Sequence, residues 1–307
     1  MYKRQTLPLA ELEAVFQAEK IDYWLINTYD GFAVHEVDKL KEDILEERLG
    51  LTDSMFGVIS EGKEFDTLTH GVDFSQFEQP FAIRILNLEK VSLNKRKIKQ
   101  SIVNAIKKFF EKRGKKLKMD SKNPNTEFYV LVGQDSSFFC LKILEIDKKQ
   151  FQRKPIDGVN PRIARALVNL SRIRRGKKFL DPCCGCGSLL VEAATIGCKV
   201  YGVEEDEKKV ERARKNLEKY GFYGSVKKGS CKNLEKIFHK RNWFDGVVAR
   251  LRDDNIDECL KSIERVLKPN CCLVLEADRK TKLESKNLML IELHKEMGKI
   301  IYVFRKT

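Results

Sequence analysis

The chain has 307 residues, 42% of them hydrophobic, enough to bury several cores, which excludes an intrinsically disordered protein. Its 59 Lys and Arg against 45 Asp and Glu leave a formal net charge of +14 and a pI of about 9.2, a balance that favours a polyanionic partner such as nucleic acid or an acidic membrane surface. The longest apolar runs fall short of a membrane span and residues 1–16 lack the apolar core of a signal peptide, so no membrane is expected and the expected location is cytoplasmic.

Residues 7–19 place Leu9, Leu12, Val15 and Phe16 on one helical face, and "YWLINTYDGFAVHEV" predicts strands around a turn at Asp30 and Gly31. "KLKEDILEERLGL" predicts a second helix ending near Gly50. The opening Met-Tyr-Lys-Arg-Gln leaves no room for a first strand, and the natural N-terminus is expected to be missing. Residues 81–86 alternate as a strand, and Ser92 is the expected cap of the next helix, where Ile98, Ile102, Ile106, Phe109 and Phe110 form a buried stripe. Lys95, Arg96, Lys97, Lys99, Lys107 and Lys108 cover the rest of that helix, either as a solvated face or as one that tracks phosphates. Two strands, "EFYVLVG" and "SSFFCLKIL", follow.

A connector rich in Pro and Gly leads to a helix begun by Asn160 and Pro161. Beyond Gly176, "KFLD", "KVYGVE", "GSVKKG", "DGVVA" and "CCLVLEA" read as strands with helices between them, the last helix running to "RVLKPN". Such alternation predicts a parallel sheet covered on both faces. The nine cysteines are scattered through apolar segments and are expected to stay reduced. Cys183 and Cys186 form a C-x-x-C, but no second ligand pair completes a zinc site, and His35, His70, His239 and His294 show no ligand spacing, so no metal is expected.

The stretch "KFLDPCCGCGSLLVEAATIG" carries the most chemistry. A short strand ends at Asp181, Gly185 and Gly187 let the backbone turn and approach a ligand, and Ser188 opens a helix whose free N–H groups face the same point. The next strand ends at Glu204, where a carboxylate can accept from both hydroxyls of a ribose. This combination predicts an adenosine-containing cofactor. A dinucleotide site would carry a third glycine near Leu190; the Asp181-Pro182 pair before the loop suits S-adenosylmethionine, with a nicotinamide dinucleotide as the weaker reading.

"LDPCCGCGSLLVEAATIGCKVYGVEED", with "RKPIDGVNPRIARALVNLSRI" before it and "IELHKEMGKIIYVFRK" near the end, resembles the THUMP-domain class I tRNA (guanine-N2) methyltransferases, in particular the archaeal enzymes acting on guanosine 10. The resemblance implies an α/β fold: a Rossmann-like class I methyltransferase domain at 155–307, preceded by a ferredoxin-like domain at 1–76 and an α+β THUMP domain at 77–154 that grips tRNA. It further implies S-adenosylmethionine as cofactor, with Asp181, Cys183, Gly185 and Gly187 at its methionine end, Glu204 on its ribose and Asp206 following in pattern. tRNA is the implied partner, and a small activating protein is left open.

Two positions of that pattern are not kept. Ser230 stands where an acid receives the adenine amino group, and Arg250, Leu251, Arg252 and Asp253 replace the catalytic Asp-Pro-Pro-Tyr. An exocyclic guanine amine is a poor nucleophile that needs acceptors for its protons, whereas a guanidinium has five donors and no acceptor. Losing one such oriented partner typically costs about 3 kcal/mol of transition-state stabilisation. Three readings remain open for the stretch: Arg250 as a structural replacement in a tRNA-binding paralogue that no longer methylates; Asp253 or Asn255 as the acceptor; Arg250 and Arg252 as phosphate contacts alongside Lys95, Arg96, Lys99 and Lys107.

Overall fold

The computed structural model describes residues 6–29, 31–251, 256–278, 285–296 and 298–307. Its first half runs α1 (Leu7–Glu19), β1 (Tyr23–Tyr29), β2 (Phe32–Val37), α2 (Glu42–Arg48), β3 (Ser54–Gly62), β4 (Phe81–Asn87), α3 (Lys95–Glu111), β5 (Thr126–Val132) and β6 (Ser137–Glu145). The second half continues with α4 (Pro161–Leu170), β7 (Lys178–Asp181), α5 (Ser188–Thr195), β8 (Lys199–Glu204), α6 (Glu207–Lys219), β9 (Gly224–Lys228) and α7 (Leu234–Phe238). It closes with β10 (Phe244–Arg250), α8 (Ile256–Val266), β11 (Leu267–Ala277), β12 (Leu288–Glu296) and β13 (Lys299–Lys306).

These elements form two compact units. The larger takes the segment ending at Asp22, Asp38–Asp53 and Ile146–Thr307; the smaller takes Tyr23–Val37 and Ser54–Glu145. The expected boundaries at 76/77 and 154/155 do not coincide with this division, because α1 and α2 join the larger unit. The fully buried Glu11 carboxylate on α1 accepts the Gly50 and Leu51 amides and the Asn169 side chain, all at 2.8 Å. Leu7, Ala10 and Ala14 pack into the same core as Leu167 and Leu170 of α4. With Glu11 turned inward, the buried face of α1 contains Val15 and Phe16 as expected, while Leu9 and Leu12 stay half-buried.

The larger unit is built on a seven-stranded sheet in the order β12-β13-β11-β10-β7-β8-β9, parallel from β11 through β9, with β13 antiparallel to both its neighbours. One core lies under α1, α4, α5 and α6, and a second under α7 and α8, as a sheet buried on both faces requires. Strand order reverses between β7 and β10, so the crevice for a ligand opens beyond their carboxyl ends, at Asp181 and Arg250. Local signals agree: Asn160 caps α4 through the Arg162 amide with Pro161 in the first turn, and Asp206 caps α6 through the Lys208 amide. Gly202 on β8 makes room for the turn and α5, since a Cβ there would fall 2.8 Å from Cys184 Sγ and from Leu190 Cδ1 and both side chains would have to shift. Helix α8 stops at Val266 and β11 begins at once, four residues earlier than the expected helix end.

In the smaller unit, a four-stranded sheet ordered β3-β6-β5-β4 carries α3 on one face, with Ile98, Ile102, Ile106 and Phe110 against Phe81, Phe128 and Val130. The β1–β2 hairpin packs Tyr29, Phe32 and Val34 near Tyr129, Leu131 and Phe138. The cap of α3 is Asn94, not Ser92: Asn94 accepts the Lys97 amide at 3.0 Å. The expectation of uniformly free thiols is also corrected, because Cys231 and Cys259 are disulfide-bonded, joining the turn after β9 to α8.

Candidate functional site

At the end of β7 the chain turns so tightly that its amides are taken up one after another by carboxylates. Asp181 Oδ1 accepts the Cys183 N–H at 3.1 Å, Glu204 Oε2 accepts the Gly185 N–H at 2.9 Å, and Asp157 Oδ2 accepts the Cys186 N–H at 2.8 Å. Glu204 Oε1 also accepts the Asp206 amide at 3.1 Å. Gly185 and Gly187 have φ of 52° and 89°, in the left-handed region, and a Cβ on Gly185 would sit 2.9 Å from Asp157 Oδ2. Asp181, Gly185, Gly187 and Glu204 therefore meet at one place, as their spacing predicts. Asp157 belongs with them and was not anticipated; it lies in "PIDGVN", which reads as a connector, although an Asp-Gly turn beside prolines is itself a local signal.

Asp181 is fully buried, and burial pushes its pKa up to about 7 against the opposing pull of Arg250 and the Cys183 amide. Its Oδ2 has no hydrogen-bond partner among the described residues. Burial also acts on Asp157, but hydrogen bonding from Cys186 and the nearby charges of Lys209 and Arg250 hold that carboxyl below its usual range. The turn thus brings together a half-buried carboxylate with free lone pairs at Glu204 and a fully buried, unpaired acid at Asp181. That set fits a ribose diol joined to an ammonium-bearing chain. Burial pushes the Cys183 thiol up to about 12 and raises that of Cys186, so neither is poised as a thiolate.

Arg250 ends β10 directly across from Glu276 of β11, and its Nη2 donates to Ser188 Oγ at 3.3 Å, at the start of α5. Its Nε is buried without a hydrogen-bond partner among the described residues. Burial raises the pKa of Glu276, and Arg250 counters it. The guanidinium therefore lies at the cleft end where the resemblance implies an acceptor. Arg252, Asp253 and Asn255 lie outside the described residues. Ser230 caps the short turn Cys231–Asn233 through the Lys232 amide, and the preceding Gly229 amide donates to the Glu204 carbonyl at 2.9 Å, which sets Ser230 beside the end of β8.

In the smaller unit, Lys95, Arg96 and Lys99 line a cavity of about 340 Å³ with Ile83, Arg84 and Ile85. Lys107, on the same helix, pairs with Glu111 at 3.5 Å. No helix among the described residues is long and apolar enough to cross a membrane.

The chain matches the UPF0020 family model, described as an RMKL-like methyltransferase domain, over residues 152–251. It is 31% identical over 227 residues to the tRNA (guanine(10)-N2)-dimethyltransferase of Methanothermobacter thermautotrophicus, covering 70% of this chain and 66%, just under two thirds, of that protein. It is 31% identical over 160 residues to the probable tRNA (guanine(10)-N2)-dimethyltransferase of Methanothermococcus thermolithotrophicus, covering 48% of this chain and 99% of that one. The crystal structure of TrmN from Thermus thermophilus superposes with a TM-score of 0.54 at 16% identity, over 98% of this chain and 97% of that chain, a likeness of fold.

Proposed function

Because this chain belongs to the family of the tRNA (guanine(10)-N2)-dimethyltransferases, we propose that it is a cytoplasmic, S-adenosylmethionine-dependent methyltransferase acting on a guanine N2 of tRNA. The observation that carries this reading is the convergence of Asp181, the Gly185 turn and Glu204 on one cleft at the β7/β10 switch point. When bound, S-adenosylmethionine supplies an electrophilic methyl group. Glu204 accepts from the ribose hydroxyls, Asp181 from the ammonium, and the glycine turn admits the ligand close to the backbone.

The smaller unit is the proposed THUMP-type RNA-gripping part, with Lys95, Arg96, Lys99 and Lys107 following phosphates. Asp253 is the proposed acceptor for the guanine amine, since Arg250 offers only donors. The test is incubation of the purified chain with tRNA and cofactor labelled in the methyl group. Label on guanine N2 is expected. Tight binding of both ligands without transfer would favour a tRNA-binding paralogue, the reading that Arg250 supports. Transfer that appears only with extract of the source cell would assign the missing element to a small activating protein.

A further inference from the structure

On the α7/α8 side of the larger unit runs a groove of about 550 Å³ lined by Lys232, Lys236, Lys240, Arg241 and Arg265, with Glu235 as its one acid. Arg241 pairs with Glu235 at 2.5 Å and Lys232 with Glu258 at 2.7 Å. Lys236, Lys240 and Arg265 are exposed, and Arg265 also acts electrostatically on Glu235. Lys236 and Arg265 lie in the last turns of α7 and α8, where the helix dipole favours a cation. The two ion pairs and the two helix ends account for four of the five cations, and leave Lys240 and a surplus of five cations over the two acids Glu235 and Glu258.

We infer that this groove is a second binding surface for RNA phosphates, carried by the methyltransferase unit itself. The inference rests on tRNA being the substrate. No Phe, Tyr, Trp, Leu, Ile, Val or Met lines the groove, whose remaining walls are Asn233, His239 and Ser262, so it lacks the large apolar anchors a protein partner would bury. Lysine and arginine side chains that neutralise phosphates release the counterions condensed on the nucleic acid. One end of the groove is anchored at the cleft: Lys232 follows the Ser230 turn, whose Gly229 amide is tied to the Glu204 carbonyl. A strand following the groove is therefore led toward the mouth of the adenosyl site.

The experiment is fluorescence titration of the whole chain with a tRNA transcript across a range of salt concentrations. The variants are Lys236→Ala/Lys240→Ala/Arg265→Ala and, separately, Lys236→Gln. The triple variant is expected to lose about 2–3 from the slope of log affinity against log salt, with at least tenfold weaker binding near 0.1 M salt, and the single variant about 1 from the slope. Calorimetric binding of S-adenosylhomocysteine is expected to be unchanged in both, which certifies the fold. Unaltered affinity and slope in both variants would overturn the inference while leaving the proposed substrate intact. A wild-type chain that binds no tRNA would overturn both. If the variants lost affinity for poly-glutamate but not for tRNA, the groove would belong to an acidic peptide and the inference would fall.

Discussion

The Gly185 amide donates to the Glu204 carboxylate at 2.9 Å, so the turn after β7 is fastened to the end of β8 before any ligand enters. Glu204 holds the turn with one lone pair of Oε2 and keeps others for a ribose. Glu204→Ala removes both functions. It is expected to destabilise the fold by about 1–3 kcal/mol through the orphaned amides and to weaken S-adenosylhomocysteine binding by at least tenfold, read by denaturant melts and calorimetry. Unchanged affinity would remove Glu204 from the ligand site.

Asp181 sets a pH dependence whose sign is fixed by its folded pKa of about 7, above the ordinary carboxylate value of 3.8. A raised acid favours the fold while protonated, so its stabilising contribution is present below about pH 4 and is lost as pH rises through about 7. The stability of the wild type relative to Asp181→Asn is therefore expected to fall between about pH 4 and about pH 7 and to level off above. Affinity for a ligand bearing an ammonium should rise as pH passes through about 7, because only ionised Asp181 accepts from it fully. A flat difference between the two proteins would count against a titrating Asp181.

Arg250 places a fixed positive charge at the cleft end. A guanidinium about 6–8 Å from a sulfonium costs about 2–3 kcal/mol at an effective dielectric near 20. Wild-type protein is thus expected to favour the neutral S-adenosylhomocysteine over S-adenosylmethionine, and Arg250→Ala to move the affinity ratio toward the cationic ligand by on the order of tenfold or more. The same ratio in both proteins would place the guanidinium outside the reach of the sulfur.

Arg165 and Glu192 form a buried pair, with Nε donating to Oε2 at 2.9 Å; Arg153 also reaches Glu192, and Arg165 also reaches the Glu47 carbonyl. Burial lowers the pKa of Arg165 to about 10. Glu192→Ala leaves two cations without their counter-charge and is expected to cost about 3–5 kcal/mol in urea unfolding. Replacing Arg165, Arg153 and Glu192 together by apolar residues of similar size should recover much of that loss. If the single variant melts like wild type, the pair carries no structural weight.

The alternation of apolar strands with helices beyond Gly176 made the parallel sheet legible, and the Asp181–Gly185–Glu204 spacing made the cleft legible, because both follow from short-range periodicity. What escaped depends on long-range partners. Nothing in the local pattern marks Glu11 or Glu192 as buried, and only their contacts with Gly50, Asn169 and Arg165 turn them inward. Ser92 and Asn94 are equally good caps by type, and the backbone of the approach to α3 selects the second. The basic groove escaped because the stretch holding Lys232, Lys236, Lys240 and Arg241 meets Arg265 of α8 only after folding.

The division of the larger unit among three stretches of sequence has a consequence for how the protein is made. Tyr23–Val37 and Ser54–Glu145 emerge from the ribosome with all their own partners and are free to fold first. Helix α1, by contrast, must wait until α4, ending at Leu170 of 307 residues, has been translated before Leu7, Ala10 and Ala14 meet Leu167 and Leu170, leaving an apolar segment exposed to chaperones in the meantime.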